Sequence, residues 1–237
     1  TEMLLSAVGA KDDPNSGGRQ MPSHWGHRPL NIPSQGSPTG TQCLQAVGCG
    51  EAGQIYARVP GIPDGATRQH ADEVTYLSIG DGATSEGEFW ESLNSACTRP
   101  APALYLVEDN GYAISVPVDA QAPGGSISKL VESFPNLKVL RCDGTDYFDS
   151  YRTIDEAVQW IRRERKPALV HARVTRPYSH SLSDDERLYK TPEEREAEAK
   201  RDPLVRMRAF LLAEQLFRAM AELVPERGLG HPEVRHH

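Results

Sequence analysis

Four short apolar runs separated by helical segments constrain the fold of this chain more than any other feature. Each run has the length and the β-branched or aromatic content of a buried strand. The runs are VTYLSI (74–79), ALYLVE (103–108), LKVLRC (137–142) and PALVHARV (167–174). The segments between them, 85–98, 126–134 and 147–165, are predicted to be helices. Strands that alternate with helices favour a parallel sheet with helices on both faces, which is an α/β fold.

The flanking segments predict irregular structure at the start and helices at the end. Residues 1–37 form the predicted irregular segment, within which residues 9–37 are rich in Gly, Pro, Ser and His. A helix of small residues follows, with Ser37 or Thr39 as its N-cap. The polar stretch 175–190 is predicted to be an exposed loop, and 191–223 is predicted to form C-terminal helices.

Length and composition exclude several classes of protein. The 237 residues suit a single domain, and a formal net charge of −7 argues against non-specific nucleic-acid binding. No apolar run approaches the length of a membrane-spanning helix, so no membrane association is expected. The 4 cysteines form no C-x-x-C pair, which favours free thiols in a reducing cytoplasm over a zinc or dithiol site.

The sharpest local signal is Gly80-Asp81-Gly82, which directly follows the first apolar run. A carboxylate between two glycines at a strand end can face a ligand, and glycines let a phosphate approach the backbone. Asp81 is therefore a candidate oxygen ligand for Mg²⁺. A tight turn is the alternative, and the triplet alone favours it. The dinucleotide pattern G-x-G-x-x-G is not met, because Ser85 stands at the third glycine position.

A second polar residue strengthens this signal. Asn110 follows the run ALYLVE, so Asp81 and Asn110 leave the ends of two successive strands. In a βαβ unit those ends lie at one edge of the sheet. A carboxylate, an amide oxygen and a nearby backbone carbonyl suit Mg²⁺, with phosphate and water oxygens completing the set. Asn110-Gly111 is also a common turn pair, which is the alternative.

These residues resemble the thiamine diphosphate binding motif, in which GDG is followed one strand later by Asn. The resemblance extends over residues 15–215 to the alpha subunits of 2-oxoacid dehydrogenases, the decarboxylating first components of the branched-chain and pyruvate dehydrogenase complexes. It implies that family's thiamine diphosphate-binding fold. The matching segments occur in the family's order and are GRQMPSHWG (18–26), SPTGTQ (37–42), GDGATSEGEFWESLN (80–94), DNGYAIS (109–115), DGTD (143–146) and HSLSDDE (180–186).

The resemblance implies a metal and cofactor site position by position. Asp81, the side chain of Asn110 and the backbone oxygen of Tyr112 would bind Mg²⁺. Glycines and an alanine after the first strand would line the diphosphate, and the start of the small-residue helix would contact the cofactor from the other side. The implied cofactor-binding residues are Ser37, Thr39, Gly80, Asp81, Gly82, Ala83, Asn110, Tyr112 and His180.

His180 is the candidate catalytic residue, and the resemblance makes 175–190 the active-site loop. In the family the matching histidine meets the diphosphate side of the active site and assists acyl transfer to the lipoyl group. An imidazole can donate to a phosphate oxygen and move a proton near neutral pH. A solvated loop histidine is the alternative. Ser181 matches a position phosphorylated in some relatives, and His24 is interpreted as a loop histidine bordering the site.

The chain also departs from the family's pattern. Some relatives carry arginine at the position of Glu108, and many carry asparagine at the position of Asp109, so two acids here disfavour an anionic diphosphate locally. The family's alpha subunit begins before the position of Thr1 with a Tyr-Arg pair that grips the diphosphate. The glutamate that activates the aminopyrimidine ring comes from a beta subunit or a fused beta half. The chain is therefore expected to be a fragment of a longer polypeptide, inactive when isolated.

The implied function is oxidative decarboxylation of a branched-chain 2-oxoacid of the 2-oxoisovalerate type, with acyl transfer to the lipoyl-lysine of an acyltransferase partner. GRQMPSHWG favours this group over the pyruvate group. A pyruvate or acetoin dehydrogenase alpha subunit, or a non-catalytic cofactor-binding or assembly fragment, stays open. A site shared with a beta partner implies an oligomer. Loop 175–190 has few apolar anchors and is expected to be mobile when the site is empty.

Overall fold

A four-stranded parallel sheet forms the centre of the structure. The computed structural model describes residues 2–21, 24–59, 61–62 and 70–214. Its strands are β1 (Thr75–Gly80), β2 (Ala103–Asp109), β3 (Tyr112–Ala113), β4 (Val116–Pro117), β5 (Lys138–Asp143) and β6 (Ala168–Arg173). Four of them pair in parallel in the order β1-β2-β6-β5, while β3 and β4 form a short antiparallel ladder. The four predicted strands are confirmed, each within one residue of its predicted bounds.

The register of the sheet brings the strand ends together at one edge. Gly80 at the end of β1 lies opposite Glu108 of β2, and Asp109 lies opposite Arg173 of β6. Asp143, the last residue of β5, also lies opposite Arg173. Polar residues that follow these strands are therefore collected at the carboxyl edge, where parallel sheets generally bind their ligands.

Helices cover both faces of the sheet, as the alternating pattern predicted. The described α-helices are α1 (Glu2–Ala7), α2 (Thr41–Arg58), α3 (Gly87–Thr98), α4 (Val118–Gln121), α5 (Ile127–Val131), α6 (Tyr147–Glu164), α7 (Pro192–Lys200) and α8 (Pro203–Ala213). Buried residues of α2, α3 and α5 share one core with the sheet, and buried residues of α6 share the other.

Strand β2 shows why these runs are continuously apolar. Tyr105 and Val107 face the core under α2 and α3, whereas Leu104 and Leu106 face the core under α6. Successive side chains of a strand point to opposite faces, so a strand covered on both faces can be apolar at every position.

The start of α2 differs from the prediction. Its N-cap is Gly40, with φ 85°, so the assignment of Ser37 or Thr39 as the N-cap is wrong. The Ser37 hydroxyl hydrogen-bonds His24 Nε2 (2.7 Å) instead. The positive φ of Gly40 favours glycine at this position. A Cβ at Gly40 would also lie 3.2 Å from the Cβ of Glu86, so the backbone here is in close contact with the start of α3.

The two ends of the chain refine the prediction further. Residues 1–37 are not irregular throughout, because Glu2–Ala7 forms α1 and Arg28–Leu30 forms a 3-10 turn. The sequence EMLLSA contains good helix formers that a composition argument overlooks. At the other end α7 and α8 are confirmed as helices, and the part of the prediction that covers 215–223 lies outside the described residues.

No helix in the described part of the chain combines the length and apolar content needed to cross a membrane. The four cysteines are free thiols, and three of them are buried. Burial raises the pKa of Cys43 to about 11, which suits packing rather than reactivity.

Candidate active site

Asp81 is a buried carboxylate at the carboxyl end of β1, with 1% of its surface exposed. Its Oδ1 accepts a hydrogen bond from the backbone N–H of Asn110 (3.3 Å), and its Oδ2 accepts one from Nε2 of Gln121 (3.1 Å). Burial raises the pKa of Asp81, and the negative charge of Asp109 raises it further. A buried carboxylate held by neutral amides is well suited to a cation, because the anion is desolvated without a bonded positive partner.

Asn110 and Tyr112 lie beside Asp81 in a tight turn that follows β2. The Asn110 Oδ1 accepts from the backbone N–H of Tyr112 (3.1 Å), and Gly111 between them has φ 88°. The carbonyl oxygen of Gly111 accepts from the N–H of Val118 (2.9 Å), which closes the loop that contains β3 and β4. The turn interpretation and the ligand interpretation are therefore compatible, since the turn itself brings Asn110 to Asp81.

The two glycines of the GDG triplet have different structural roles. A Cβ at Gly82 would lie 2.6 Å from the Cβ of Ala113, so β3 packs directly on the Gly82 backbone. A Cβ at Gly80 would meet no atom within 4 Å, so the space beside Gly80 is open. Ala83 packs its methyl group against the apolar core. The open side of this turn is thus at Gly80.

The two acids that depart from the family's pattern have different environments. Glu108 is exposed, whereas Asp109 is fully buried. The Asp109 Oδ2 accepts from His171 Nε2 (2.8 Å) and from an Arg173 guanidinium nitrogen (2.9 Å). The pKa of Asp109 is lowered because the bonds from His171 and Arg173 outweigh the effect of burial. A basic group therefore compensates the Asp109 charge within the protein.

Ser37 and Thr39 are exposed residues of the turn that precedes α2. The contact between Gly40 and Glu86 places this turn beside the start of α3, one short turn after GDG. The structure thus brings the 37–40 segment near the Asp81 turn, while the hydroxyl of Ser37 is hydrogen-bonded to His24.

Loop 175–190 is joined to the same edge of the sheet by Arg176. Its guanidinium donates to the carbonyl oxygen of Ile114 (2.9 Å) and to the hydroxyl of Tyr189 (2.6 Å). The Tyr189 hydroxyl in turn donates to Asp184 Oδ2 (2.7 Å), which also accepts from the backbone N–H of His180 (2.8 Å). The backbone of exposed His180 is therefore held in place through Asp184, and its imidazole is left on the surface of the loop.

The side chain of Tyr112 is enclosed by the end of this loop and the start of α7. Lys190 Nζ lies 5.2 Å from the Tyr112 ring centroid, and the Tyr112 hydroxyl donates to Glu194 Oε1 (3.2 Å). Lys190 is 3% exposed, and its Nζ pairs with Glu198 (2.5 Å). Residues 175–190 are therefore exposed at half of their positions, as predicted for a loop, whereas the prediction is wrong for Lys190, which is a buried anchor.

Residues 1–222 match the sequence family described as "Dehydrogenase E1 component". The chain belongs to this E1 family. The 2-oxoisovalerate dehydrogenase subunit alpha of Bacillus subtilis is 32% identical over 210 residues, which cover 89% of this chain and 59% of that protein. The mitochondrial 2-oxoisovalerate dehydrogenase subunit alpha of mouse is 34% identical over 213 residues, covering 89% of this chain and 45% of that protein.

The human mitochondrial subunit of the same name is 34% identical over 198 residues, which cover 83% of this chain and 41% of that protein. The E1 chain thus spans about half the length of the curated relatives it matches. The resemblance drawn from the ordered motifs is confirmed for the family, while the roles of the individual site residues stay predictions.

Several polar residues of this E1 chain were missed by the motif analysis. They are Gln121, Ser128, His171, Arg173, Arg176 and Lys190. One signal was available, because His171 interrupts the otherwise apolar run PALVHARV, and a buried histidine in a central strand needs partners. The partners themselves depend on the pairing of β2 with β6, which the sequence order does not reveal.

Proposed function

We propose that this E1 chain is the alpha part of the first component of a branched-chain 2-oxoacid dehydrogenase complex, and that it binds thiamine diphosphate with Mg²⁺. The observation that carries this proposal is the buried Asp81 carboxylate at the end of β1. It accepts hydrogen bonds from the backbone N–H of Asn110, which follows the adjacent strand β2, and from the side-chain amide of Gln121. The names of the relatives support a 2-oxoacid of the 2-oxoisovalerate type.

The oxygen donors at the strand ends fit a hard cation. Asp81, the Asn110 side-chain oxygen and the Tyr112 backbone carbonyl would bind Mg²⁺. No cluster of three or more His, Cys, Asp and Glu side chains suited to a metal occurs among the described residues, so phosphate and water oxygens would complete the set. The open backbone at Gly80 would receive the diphosphate.

The chain's own residues then act by binding and by proton transfer. Bound thiamine diphosphate supplies the carbanion and the electron sink that decarboxylation of a 2-oxoacid requires. His180 would donate to a diphosphate oxygen and move a proton during acyl transfer to a lipoyl group, because an imidazole suits proton transfer near neutral pH and this one lies on the exposed face of the loop. Asp184 would position His180 through the backbone bond.

The proposal includes partners. A beta subunit, or a fused beta half, would supply the glutamate that activates the aminopyrimidine ring, and a lipoyl-bearing acyltransferase would receive the acyl group. The relatives' names, which contain the words "subunit alpha", support an assembly of more than one kind of chain. We expect the isolated chain to be inactive and the working enzyme to be an oligomer.

Calorimetric titration of the full-length alpha chain, assembled with its beta partner, tests cofactor binding. We expect thiamine diphosphate to bind in the presence of Mg²⁺ and binding to be lost when the ion is chelated. No binding under either condition would overturn the proposal.

Turnover tests the substrate and the need for a partner. The assembled enzyme is expected to decarboxylate 2-oxoisovalerate faster than pyruvate, and the opposite preference would favour a pyruvate or acetoin dehydrogenase alpha subunit. The alpha chain alone is expected to release no carbon dioxide, and turnover without beta would contradict the assignment of the activating glutamate to the partner.

A further inference from the structure

The carboxylate of Asp109 is a fully buried acid near the candidate site with partners at both of its oxygens. Its exposed fraction is 0%, and three donors converge on it. The Gly111 backbone N–H donates to Oδ1 (2.8 Å), while His171 Nε2 (2.8 Å) and Arg173 (2.9 Å) donate to Oδ2. One oxygen therefore holds the turn that contains Asn110, and the other is fixed by strand β6.

The bonds continue from Asp109 into the core through His171. The Nδ1 of His171 lies 2.8 Å from the hydroxyl of Ser128, a fully buried residue of α5. The Ser128 oxygen also accepts from Arg141 Nε (2.8 Å), and Arg141 forms an ion pair with Glu132. The Ser128 hydroxyl can therefore donate a hydrogen bond to His171 Nδ1, while the N–H at Nε2 donates to Asp109. A neutral histidine then has a hydrogen-bond partner at both ring nitrogens.

This network fixes the turn from which Asn110 leaves β2. The Asp109 bond to the Gly111 N–H and the Asn110 bond to the Tyr112 N–H are two successive side-chain turns, and the Asn110 N–H is held by Asp81. If the Asp109 side chain moves, the turn that carries Asn110 loses the hydrogen bond from the Gly111 N–H. Residues that hydrogen-bond around metal ligands in this way orient them, and their loss changes metal affinity about 10- to 100-fold.

We propose that Asp109, anchored by His171 and Arg173, is a positioning residue that holds the Asn110 amide oxygen and the Tyr112 carbonyl in the geometry that binds Mg²⁺ and thiamine diphosphate. The inference rests on the proposed function of the Asp81 site. It assigns a role to the acid that the motif comparison marked as a departure from the family's pattern. Compensation by Arg173 also explains how this acid lies near an anionic cofactor.

The test uses paired variants of the full-length alpha chain assembled with its beta partner. In D109A both acceptor oxygens are lost, so the three donors that bonded Asp109 lose their partner and no change of the His171 tautomer can replace it. In D109N/H171Q the carbonyl of the introduced glutamine accepts from the introduced asparagine amide, and the glutamine NH₂ donates to Ser128. Arg173 is half exposed and can turn toward water. The double variant therefore restores the bonds to the turn and to α5 without the charge.

Calorimetry with Mg²⁺ and thiamine diphosphate is the readout, and apo-protein melting is the control. We expect D109A to weaken binding about 10- to 100-fold and D109N/H171Q to bind far more tightly than D109A. The control I161A, a cavity in the core under α6, should lower the melting temperature with little change in affinity.

Each alternative outcome identifies which idea fails. Tight binding by D109A, or a double variant as weak as D109A, overturns the positioning role while wild-type binding preserves the proposed function. An affinity loss in I161A as large as in D109A also overturns it, because the effect would then follow general stability. If wild type binds no cofactor, both proposals fall. Should D109A not assemble, H171L, which removes one anchor of Asp109, takes its place and should weaken binding, with H171Q as its conservative control.

Discussion

The residue that sets the energetics of the candidate site is Asp81. Burial and the charge of Asp109 raise the pKa of Asp81 above its ordinary value of 3.8. An acid whose pKa is higher in the folded than in the unfolded state binds its proton more readily when folded. Its charged form therefore destabilises the fold at neutral pH, and this effect disappears as the pH falls below the unfolded pKa. The Asp81 carboxylate therefore lowers the free energy of unfolding at neutral pH while it provides a charge that suits a cation.

Replacement of Asp81 by asparagine separates stability from binding. We expect D81N, measured with chelator present, to melt at or above the wild-type temperature at pH 7, because Gln121 can turn its amide to match the new side chain. The difference should shrink as the pH falls from the raised folded-state pKa toward the ordinary value of 3.8, and it should be absent below 3.8. Scanning calorimetry measures this, and titration should show loss of Mg²⁺-dependent thiamine diphosphate binding. A strongly destabilised D81N would contradict the interpretation that the charged form of Asp81 destabilises the fold.

The glycine pair offers a matched comparison one residue away on either side. G82A should destabilise the protein by about 1–3 kcal/mol, because its Cβ would clash with Ala113 at 2.6 Å. G80A should leave the melting temperature near wild type but weaken cofactor binding, since its methyl group enters the open space beside the turn. Denaturant unfolding and calorimetric titration check both. Equal stability losses in the two variants would refute this assignment of roles.

The motif residues at the strand ends could be predicted from sequence, because a residue that directly follows a parallel strand lies at the carboxyl edge of the sheet. Asp81 and Asn110 needed only the strand assignments and the parallel arrangement. The Asp109 network could not be predicted, since it requires β6 beside β2 and a particular orientation of His171. Chain order gives neither.

At the scale of secondary structure, the strands and most helix starts were predicted to within two residues, while the start of α2 was assigned wrongly. Runs such as ALYLVE match β2 because strand burial is a local property of the apolar sequence. The cap of α2 depends on tertiary contacts instead, namely the bond from Ser37 to His24 and the approach of Gly40 to Glu86. A local capping rule has no access to either contact.

Loop 175–190 is the element whose order we expect to depend on ligand. Leu182 is 100% exposed and Leu188 is 85% exposed, so the described loop is held by Arg176, Asp184 and Lys190 rather than by apolar packing. Amide hydrogen exchange in the loop should be fast in the cofactor-free enzyme and slow several-fold with Mg²⁺ and thiamine diphosphate. Amides of α6 serve as the internal control and should not change. Equal protection in both states would contradict the prediction.

At the scale of the whole molecule, apolar side chains remain exposed on helices at both ends of the described chain. Met3 and Leu4 of α1 are exposed, and Leu204 of α8 is 76% exposed. Side chains of this size that bury little within one chain are consistent with a protein that works in an assembly.

We expect L204E to reduce association with the beta partner without lowering the melting temperature of the alpha chain. Leu204 contributes little buried area within the chain, so its loss should cost little there. Sedimentation velocity of the mixture measures assembly. The control Q159E introduces the same charge change at an exposed position of α6 and should assemble normally. Normal assembly by L204E would exclude this part of α8 from the interface.

The strand order has a consequence for biosynthesis. Because β6 lies between β2 and β5, the last of the described strands to leave the ribosome is a central one. Until Ala168–Arg173 emerges, the nascent chain carries two open strand edges, and Asp109 lacks both of its basic side-chain partners. The sheet therefore stays incomplete during synthesis until β6 pairs with β2 and β5. This pairing joins residues far apart in the chain, which slows folding.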